Sequence, residues 1–466
     1  MCVDFRPTTA KEVEQIIKNI DSHKSQPESD LPSNIIKLSS GVFAEFISKS
    51  INHSFEISEF PDVLKLSTII PLHKKCSKND KSNYRPISIL PVISKIYERI
   101  YPNQLSEYFK NFFNDQQCGF RKNFSTQTTL LSMEELWKLC NDKKEFFGAL
   151  LIDLSKAFDC MSHELLIAKI EAYGLNHQAS KLIANYLQNR RQRSKIENEQ
   201  SDWHITETGV PQGSILGPLL LNIYICDLFF DLEDLDVVNI ANYADDTPFA
   251  RGRSWEEVRT KLNNTVEIIF AWFSNNQMIC NAEKCKLITN NRTLKLSITI
   301  EGKTIFNNAT AKILGITFDN LLTFENHIVN LCRTASQKIS ALARISPYMS
   351  ISKRRKIMNA FFMSHFNYCQ MIWMFYSRSL EHRINRLHER CLRIVYSDQL
   401  STFKDLLVLD GNLTIHQRTI QTLAIEMFKV KNGRGRRRMR RGRGSGKKSR
   451  GGGRTRTLTP TTTWSV

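Results

Sequence analysis

The chain has no uninterrupted apolar run approaching the roughly 18 residues that a membrane span requires, and residues 1–18 are polar and charged where a secretory leader would turn apolar. A soluble, intracellular protein with no membrane contact is expected. Its eleven cysteines include no C-x-x-C pair and have no histidines at zinc-ligand intervals, so no zinc knuckle or disulfide framework is encoded. They read as reduced packing residues, the nearest two, Cys280 and Cys285, included. Glycine is absent from residues 323 to 430 except for Gly411, and that stretch is dense in helix formers. Acid is absent from residues 431 to 456, which hold 13 Lys or Arg of a chain whose net charge is +19. Most of the positive excess is therefore a Gly/Arg-rich tail, residues 431–466, expected to be disordered because it cannot bury enough apolar surface to offset its ordering entropy. Either it attaches to RNA or DNA through phosphate contacts, or it is a coding accident without function.

A hydrophobic content of 41% in 466 residues implies a globular body of two or three packed lobes. Thr9-Ala10-Lys11-Glu12 is a capping-box pattern, and Val13, Ile16, Ile17 and Ile20 follow at helical spacing. A helix from about 41 to 55, a strand around 66 to 72 and an amphipathic run from Val92 to Phe109 come next. Leu165, Leu166 and Ile170, then Leu182, Ile183, Tyr186 and Leu187, predict two helices, and residues 193–196 and 203–206 predict a hairpin. Residues 237–243 and Phe249 predict a second hairpin, backed by a helix from Trp255 to Trp272. Pro248 lies in its second strand. Lacking an N–H for the ladder, it implies an edge or a distortion there.

Three segments carry chemistry in a fixed order. An apolar strand ends in an acid at Ile152-Asp153 and turns polar through Lys156 to Phe158-Asp159. A Gly/Pro loop, Gly209-Val210-Pro211-Gln212-Gly213-Ser214, then runs into an apolar segment. Finally Tyr243-Ala244-Asp245-Asp246 places two adjacent acids behind an aromatic at a hairpin tip. Gly209 and Gly213 allow close backbone approach, and Ser214 is placed to cap the helix beyond.

This order resembles motifs A, B and C of reverse transcriptases, and the wording is most similar to the non-LTR (LINE-type, jockey-like) retrotransposon branch. Asn83-Tyr84-Arg85-Pro86 and Cys118-Gly119-Phe120-Arg121 resemble the fingers motifs. Asn281-Ala282-Glu283-Lys284 resembles motif D, and Leu314-Gly315-Ile316 with Asp319 and His327 resembles the hairpin and the segment after it. The likeness extends over about residues 5 to 432. It departs from the family where a Gly-rich turn is replaced by residues 25–32, which contain no glycine.

The resemblance implies an α/β (α+β) right-hand polymerase. Its parts would be an N-terminal helical extension (1–60), fingers (61–145), a palm carrying motifs A to E (146–320), a helical thumb (321–430) and the tail. It implies an RNA-directed DNA polymerase using an RNA template, a DNA primer or target DNA, deoxynucleoside triphosphates and two Mg²⁺ or Mn²⁺ ions. Asp153 and Asp245 would hold the metals, Asp246 would support them, and Lys284 would protonate or screen the leaving pyrophosphate. Phe158 would pack beneath the sugar and exclude a ribose hydroxyl. Arg85, Arg121 and Lys75 would meet the triphosphate, Gln212 and Gly213 the nucleic acid. A catalytically inactive RNA-binding remnant is the competing reading, favoured by the altered turn, Pro248 and the tail and opposed by the intact acids. A different palm polymerase is a third: Phe158 opposes an RNA-directed RNA polymerase, and no maturase-specific segment is recognisable for an intron-encoded maturase. With no endonuclease ahead of Phe5, the chain is expected not to nick its own target.

Overall fold

The computed structural model describes residues 4–28, 30–74, 77–154, 156–233, 238–240, 248–291 and 296–432. Helix α1 (Ala10–Lys18) starts where Thr9 Oγ1 accepts the Glu12 N–H at 3.2 Å. The reciprocal half of the box is replaced, since the Glu12 carboxylate takes the Thr8 hydroxyl instead. Helices α2 (Ser33–Leu38) and α3 (Ser40–Ile57) follow. Strands β1 (Leu66–His73) and β2 (Tyr84–Ile89) lead to helix α4 (Val92–Phe109), helix α5 (Thr126–Asp142) and strand β3 (Phe146–Leu151). The short helix α6 (Ala157–Cys160) precedes α7 (His163–Ala172) and α8 (His177–Leu187). The predicted hairpin is β4 (Arg190–Ile196) with β5 (Glu199–Gln200) and β6 (His204–Thr206), so its first strand begins three residues earlier than 193. The glycine-free turn closes through the Asp30 N–H on the Pro27 carbonyl at 3.1 Å, and the Asp30 carboxylate caps α4 by accepting the Val92 N–H at 2.6 Å.

The first sheet runs β2-β1-β4-β5, with β6 on β4, and β1 and β4 lie parallel in the register Leu66↔Arg191. It therefore joins residues 66–89 to 190–206, across the boundary expected at residue 145. Helices α9 (Gly217–Ile225) and α10 (Leu228–Glu233) lead to β7 (Val238–Ile240), β8 (Pro248–Gly252) and helix α11 (Trp255–Asn275). Strands β9 (Lys286–Thr289), β10 (Ser297–Ile300) and β11 (Lys303–Asn308) complete a six-stranded sheet in the order β10-β11-β9-β3-β8-β7. Pro248 is tolerated for a different reason from an edge strand. β8 is interior, but Pro248 is its first residue, paired with Ile240 one step beyond the last β3 pairing, Ala149↔Phe249.

β12 (Thr310–Ile313) and β13 (Ile316–Asp319) form a separate hairpin. Beyond it stand α12 (Glu325–Ile345), α13 (Ile351–Met358), a π-helical turn over Asn359–Met363, α14 (Ser364–Asn367), α15 (Arg378–Tyr396), α16 (Phe403–Asp410) and α17 (Ile415–Lys431). Residues from 325 to 431 are thus mostly helical, with loops at 368–377, 397–402 and 411–414. Among the described residues no helix is long and apolar enough to cross a membrane.

Strand β3 explains how the two cores form. Successive side chains alternate faces, so Leu150 and Ile152 join a core with α1, α3, α4, α8, α9 and α11, while Phe147 and Ala149 join a core with α5 and the C-terminal helices. With both faces covered, the strand reads as a continuous apolar run. Trp137 of α5 stacks on Phe147 at 4.6 Å between ring centroids, a contact worth about 0.5–1.5 kcal/mol beyond its buried area.

Candidate functional site

Asp153 lies two residues beyond the end of β3 with its side chain one-third exposed, and its carboxylate meets Lys284 Nζ at 3.2 Å. That contact is built by the backbone. The Asn281 N–H donates to the Asp153 carbonyl at 2.8 Å, Leu154 bridges to Cys280, and the Lys284 N–H closes the turn on the Asn281 carbonyl at 2.9 Å. Two segments 131 residues apart in sequence thereby place an acid and an amine together.

The acid pair Asp245-Asp246 and Tyr243 lie outside the described residues, as does Lys75. The strand ends flanking the pair are described. Ile240 pairs with Pro248, and Phe249 opposes Ala149, so the β7–β8 connection leaves the sheet at the end of β3 that carries Asp153.

Lys156, with φ of 53°, ends the polar turn after Asp153 and begins α6, which presents Phe158 and Asp159. The Phe158 ring stands edge-on to Phe120 with centroids 5.8 Å apart. The glycine loop seats on this helix: Val210 N–H donates to the Phe158 carbonyl and Gly209 N–H to the Met161 carbonyl, both at 2.8 Å. His163 Nε2 meets the Gly209 carbonyl oxygen at 2.7 Å, and burial lowers the pKa of this imidazole.

The two glycines let the chain approach itself. A Cβ on Gly209, where φ is +75°, would lie 2.4 Å from the Phe158 carbonyl oxygen. On Gly213, where φ is +128°, it would lie 2.7 Å from the Ser88 carbonyl oxygen. The expected approach to nucleic acid is thus, in these contacts, an approach to α6 and β2. Gln212 is also held internally: its side-chain amide donates to both Asp159 carboxylate oxygens at 3.1 and 3.2 Å, and its main-chain carbonyl accepts the Ser88 N–H at 2.7 Å. Ser214 lies two residues ahead of the N-cap, Leu216, and its Oγ accepts the first N–H of α9, that of Gly217, at 3.0 Å.

The two fingers arginines differ. Arg85 on β2 is exposed, and its guanidinium has no ion pair or hydrogen bond among the described residues. Arg121 instead donates to the carbonyls of Asn114 and Gln117 and packs over the rings of Phe113 and Phe124 at 5.2 and 4.5 Å. Its guanidinium brackets the loop ahead of α5.

Sequence reasoning missed Glu98. Fully buried on α4, it accepts the Ile215 N–H at 2.6 Å and the Tyr186 hydroxyl at 3.0 Å, so one carboxylate ties the glycine loop's exit to α4 and α8. Burial raises its pKa, against the opposing charge of buried Arg190. The available signal was an acid among the apolar positions of α4. Gln117 and Asn222 were missed too; they cross-link the loop before α5 to α9.

Between α12 and α15 lies an open cleft of about 1240 Å³ lined by Arg333, Arg344, Arg383 and Arg386 with Ser336 and Ser340. No carboxylate lines it, and none of the four arginines is in a salt bridge among the described residues. Arg333 and Arg344 are eleven residues apart on one helix, about 16 Å at 1.5 Å per residue, a span matching several consecutive phosphates.

Residues 74–318 match the family model described as reverse transcriptase (RNA-dependent DNA polymerase). Over 416 residues the chain is 26% identical to the probable RNA-directed DNA polymerase from transposon BS of Drosophila melanogaster, covering 85% of this chain and 45% of that protein. It is 28% identical over 369 residues to the RNA-directed DNA polymerase from mobile element jockey of the same organism, covering 77% and 40%. Similarity to the group II intron-encoded protein LtrA of Lactococcus lactis subsp. cremoris is confined to 33% of this chain, at 31% identity. The chain spans less than half the length of the transposon relatives named here. With a family match over more than half its length, the chain belongs to the reverse transcriptase (RNA-dependent DNA polymerase) family.

Proposed function

We propose that the chain is an RNA-directed DNA polymerase of the non-LTR, jockey-like kind, adding deoxynucleotides to a primer 3′ end paired with an RNA template. The observation that carries this reading is the convergence at one end of the palm sheet of Asp153, its partner Lys284, the helix bearing Phe158 and the strand ends flanking Asp245-Asp246. Phosphoryl transfer needs chiefly positioning and charge neutralisation, and this arrangement supplies both.

Asp153 offers hard carboxylate oxygens at a partly open strand end, the donor chemistry that Mg²⁺ or Mn²⁺ takes alongside substrate phosphate oxygens. Asp153 and Asp245 would hold two such ions, which when bound activate the attacking hydroxyl and offset charge on the leaving pyrophosphate. Lys284 stands beside Asp153 to screen or protonate that pyrophosphate, and Asp246 supports the local charge. Phe158 lies under the sugar, its backbone fixed by Val210. Arg85 is the free cation for the triphosphate. Arg121, Gln212 and Gly213 act by holding the walls of the site in place. The arginine cleft between α12 and α15 is a phosphate-binding face for the template–primer.

Primer extension on a defined RNA template with deoxynucleotides and Mg²⁺ or Mn²⁺ tests the proposal, beside the Asp245→Ala variant. Extension that Asp245→Ala abolishes, with RNA affinity nearly unchanged, is the expected outcome. Folded protein that binds RNA yet extends nothing would establish the inactive-remnant reading instead. Parallel loss of binding in the variant would make Asp245 structural.

A further inference from the structure

The turn that carries Lys284 also carries two thiols in contact. Cys280 Sγ and Cys285 Sγ are 3.6 Å apart, and reaching a disulfide length of about 2.05 Å asks for an approach of only about 1.5 Å. Cys280 is partly exposed and Cys285 buried, so a reagent has one accessible sulfur and a second waiting behind it. The turn between them is fastened to the strand of Asp153 by the Asn281 N–H and the Leu154–Cys280 bridge. Cys285 Sγ also contacts the Asn281 carbonyl at 3.5 Å, so a change at the sulfurs bears directly on the turn.

We propose that Cys280 and Cys285 are a reversible modification site, closed to an intramolecular disulfide by a small disulfide oxidant, and that closure tightens the turn and displaces Lys284 from Asp153. Cys280 hands its proton to the contacting Cys285 sulfur and attacks one sulfur of the oxidant, whose S–S bond breaks and releases one thiol. Cys285 then attacks the Cys280 sulfur of the mixed disulfide and releases the second thiol. Two electrons and two protons pass from the protein thiols to the oxidant, and a reduced thiol pool reverses both exchanges. The effect on nucleotide addition rests on the role given to Lys284 above; the disulfide itself does not.

The test equilibrates the full chain with oxidised or reduced glutathione, blocks free thiols with iodoacetamide and digests with trypsin. Cleavage after Lys284 separates the two cysteines, so an oxidised pair leaves the dipeptide Cys285-Lys286 linked to the peptide ending at Lys284. The linked pair is expected in oxidised glutathione, absent after dithiothreitol and absent in Cys280→Ser. Full alkylation of both cysteines, or glutathione on Cys280 alone, overturns the site. Primer extension on the same samples should fall at least about tenfold on oxidation, recover with dithiothreitol and become insensitive to oxidation in Cys280→Ser. A linked pair with unchanged extension overturns the displacement of Lys284. Reduced protein that extends nothing counts against the polymerase reading, and the linked peptide then decides the disulfide site by itself.

Discussion

On one face of the six-stranded sheet, Leu150 and Ile152 pack toward α11 and α4; on the other, Phe147 and Ala149 pack toward α5 and the C-terminal helices. The polar groups buried on the two sides differ in reach. Glu98 accepts from Ile215, 117 residues away, and Asn222 donates to Gly119, 103 residues away. On the helical side, Asp410 accepts from the Tyr396 hydroxyl, 14 residues away, and pairs with Arg355, 55 residues away, while Asp319 gathers the N–H groups of Leu321, Thr323 and Phe324 next to it. The motif side is assembled by distant loops that satisfy one another's backbone. The helical side is assembled by periodic apolar faces with polar closures of shorter reach, such as Arg355–Asp410 and Gln370–Thr422, so a change there should spread less far.

The largest effect should come from Gly209→Ala. It forces a side chain onto a backbone at φ +75° with its Cβ 2.4 Å from the Phe158 carbonyl oxygen, and main-chain atoms cannot swing aside as a side chain would. A cost of about 3 kcal/mol or more is expected, with extension lost through displacement of α6. Urea unfolding and primer extension measure the two effects. A variant with near-native stability and activity would break the claim that the motif side is rigidly interlocked.

Titration should separate His327 and His388 from Glu98 by sign. Burial lowers the pKa of His327 and of His388 from 6.5 to about 4, with the Lys312 charge adding to it at His327. At His388 the charge of Asp410 opposes the shift and that of Arg418 adds to it. The unfolded chain then binds protons that the folded chain refuses, so their stability contribution is present above pH 6.5 and is lost as pH falls toward 4. At 1.4 kcal/mol per pH unit the loss approaches roughly 3 kcal/mol for each ring. Glu98 acts oppositely: its raised pKa contributes stability at low pH that is lost as pH rises through the folded value. Hydrogen exchange between pH 7 and 4 should show α12 and α15 losing protection before α4. Simultaneous loss would merge the two sides into one cooperative unit.

Phe158→Val sharpens the comparison within the motif side. The Phe158 backbone is fixed by Val210 while its ring meets only the Phe120 edge among the recorded ring contacts, so the substitution should relax sugar choice without unfolding the site. Discrimination against ribonucleotides should fall about tenfold or more, measured as the ratio of kcat/KM for the two sugars. An unchanged ratio would remove Phe158 from sugar selection.

The same division explains what could be read in advance. α4 was legible to the residue because its apolar spacing is uninterrupted from Val92 to Phe109, and the order of acid, glycine loop and acid pair was legible because each needs particular residue types. The partners of Gln212 and Arg121 were not. An amide can face nucleic acid or Asp159, and a guanidinium can meet phosphate or backbone carbonyls; tertiary placement decides between them. Glu98 was hidden for a related reason. Its partner is a backbone N–H more than a hundred residues away, and backbone donors leave no mark in a sequence.

Gly411→Ala is the smallest test and the mirror of Gly209→Ala. Gly411 ends α16 in the left-handed region at φ +66°, where its N–H closes on the Val408 carbonyl at 3.0 Å. A Cβ there would meet nothing within 4 Å. Both glycines pay the same kind of conformational penalty when replaced, but only Gly209 adds a collision with another segment. The expected cost at Gly411 is therefore about 1 kcal/mol, the left-handed strain alone, with primer extension unchanged. A loss at Gly411 as large as that at Gly209 would show that α16 couples to the Asp153 end of the sheet, and the contrast between a long-range interlocked side and a side of shorter-range closures would fail.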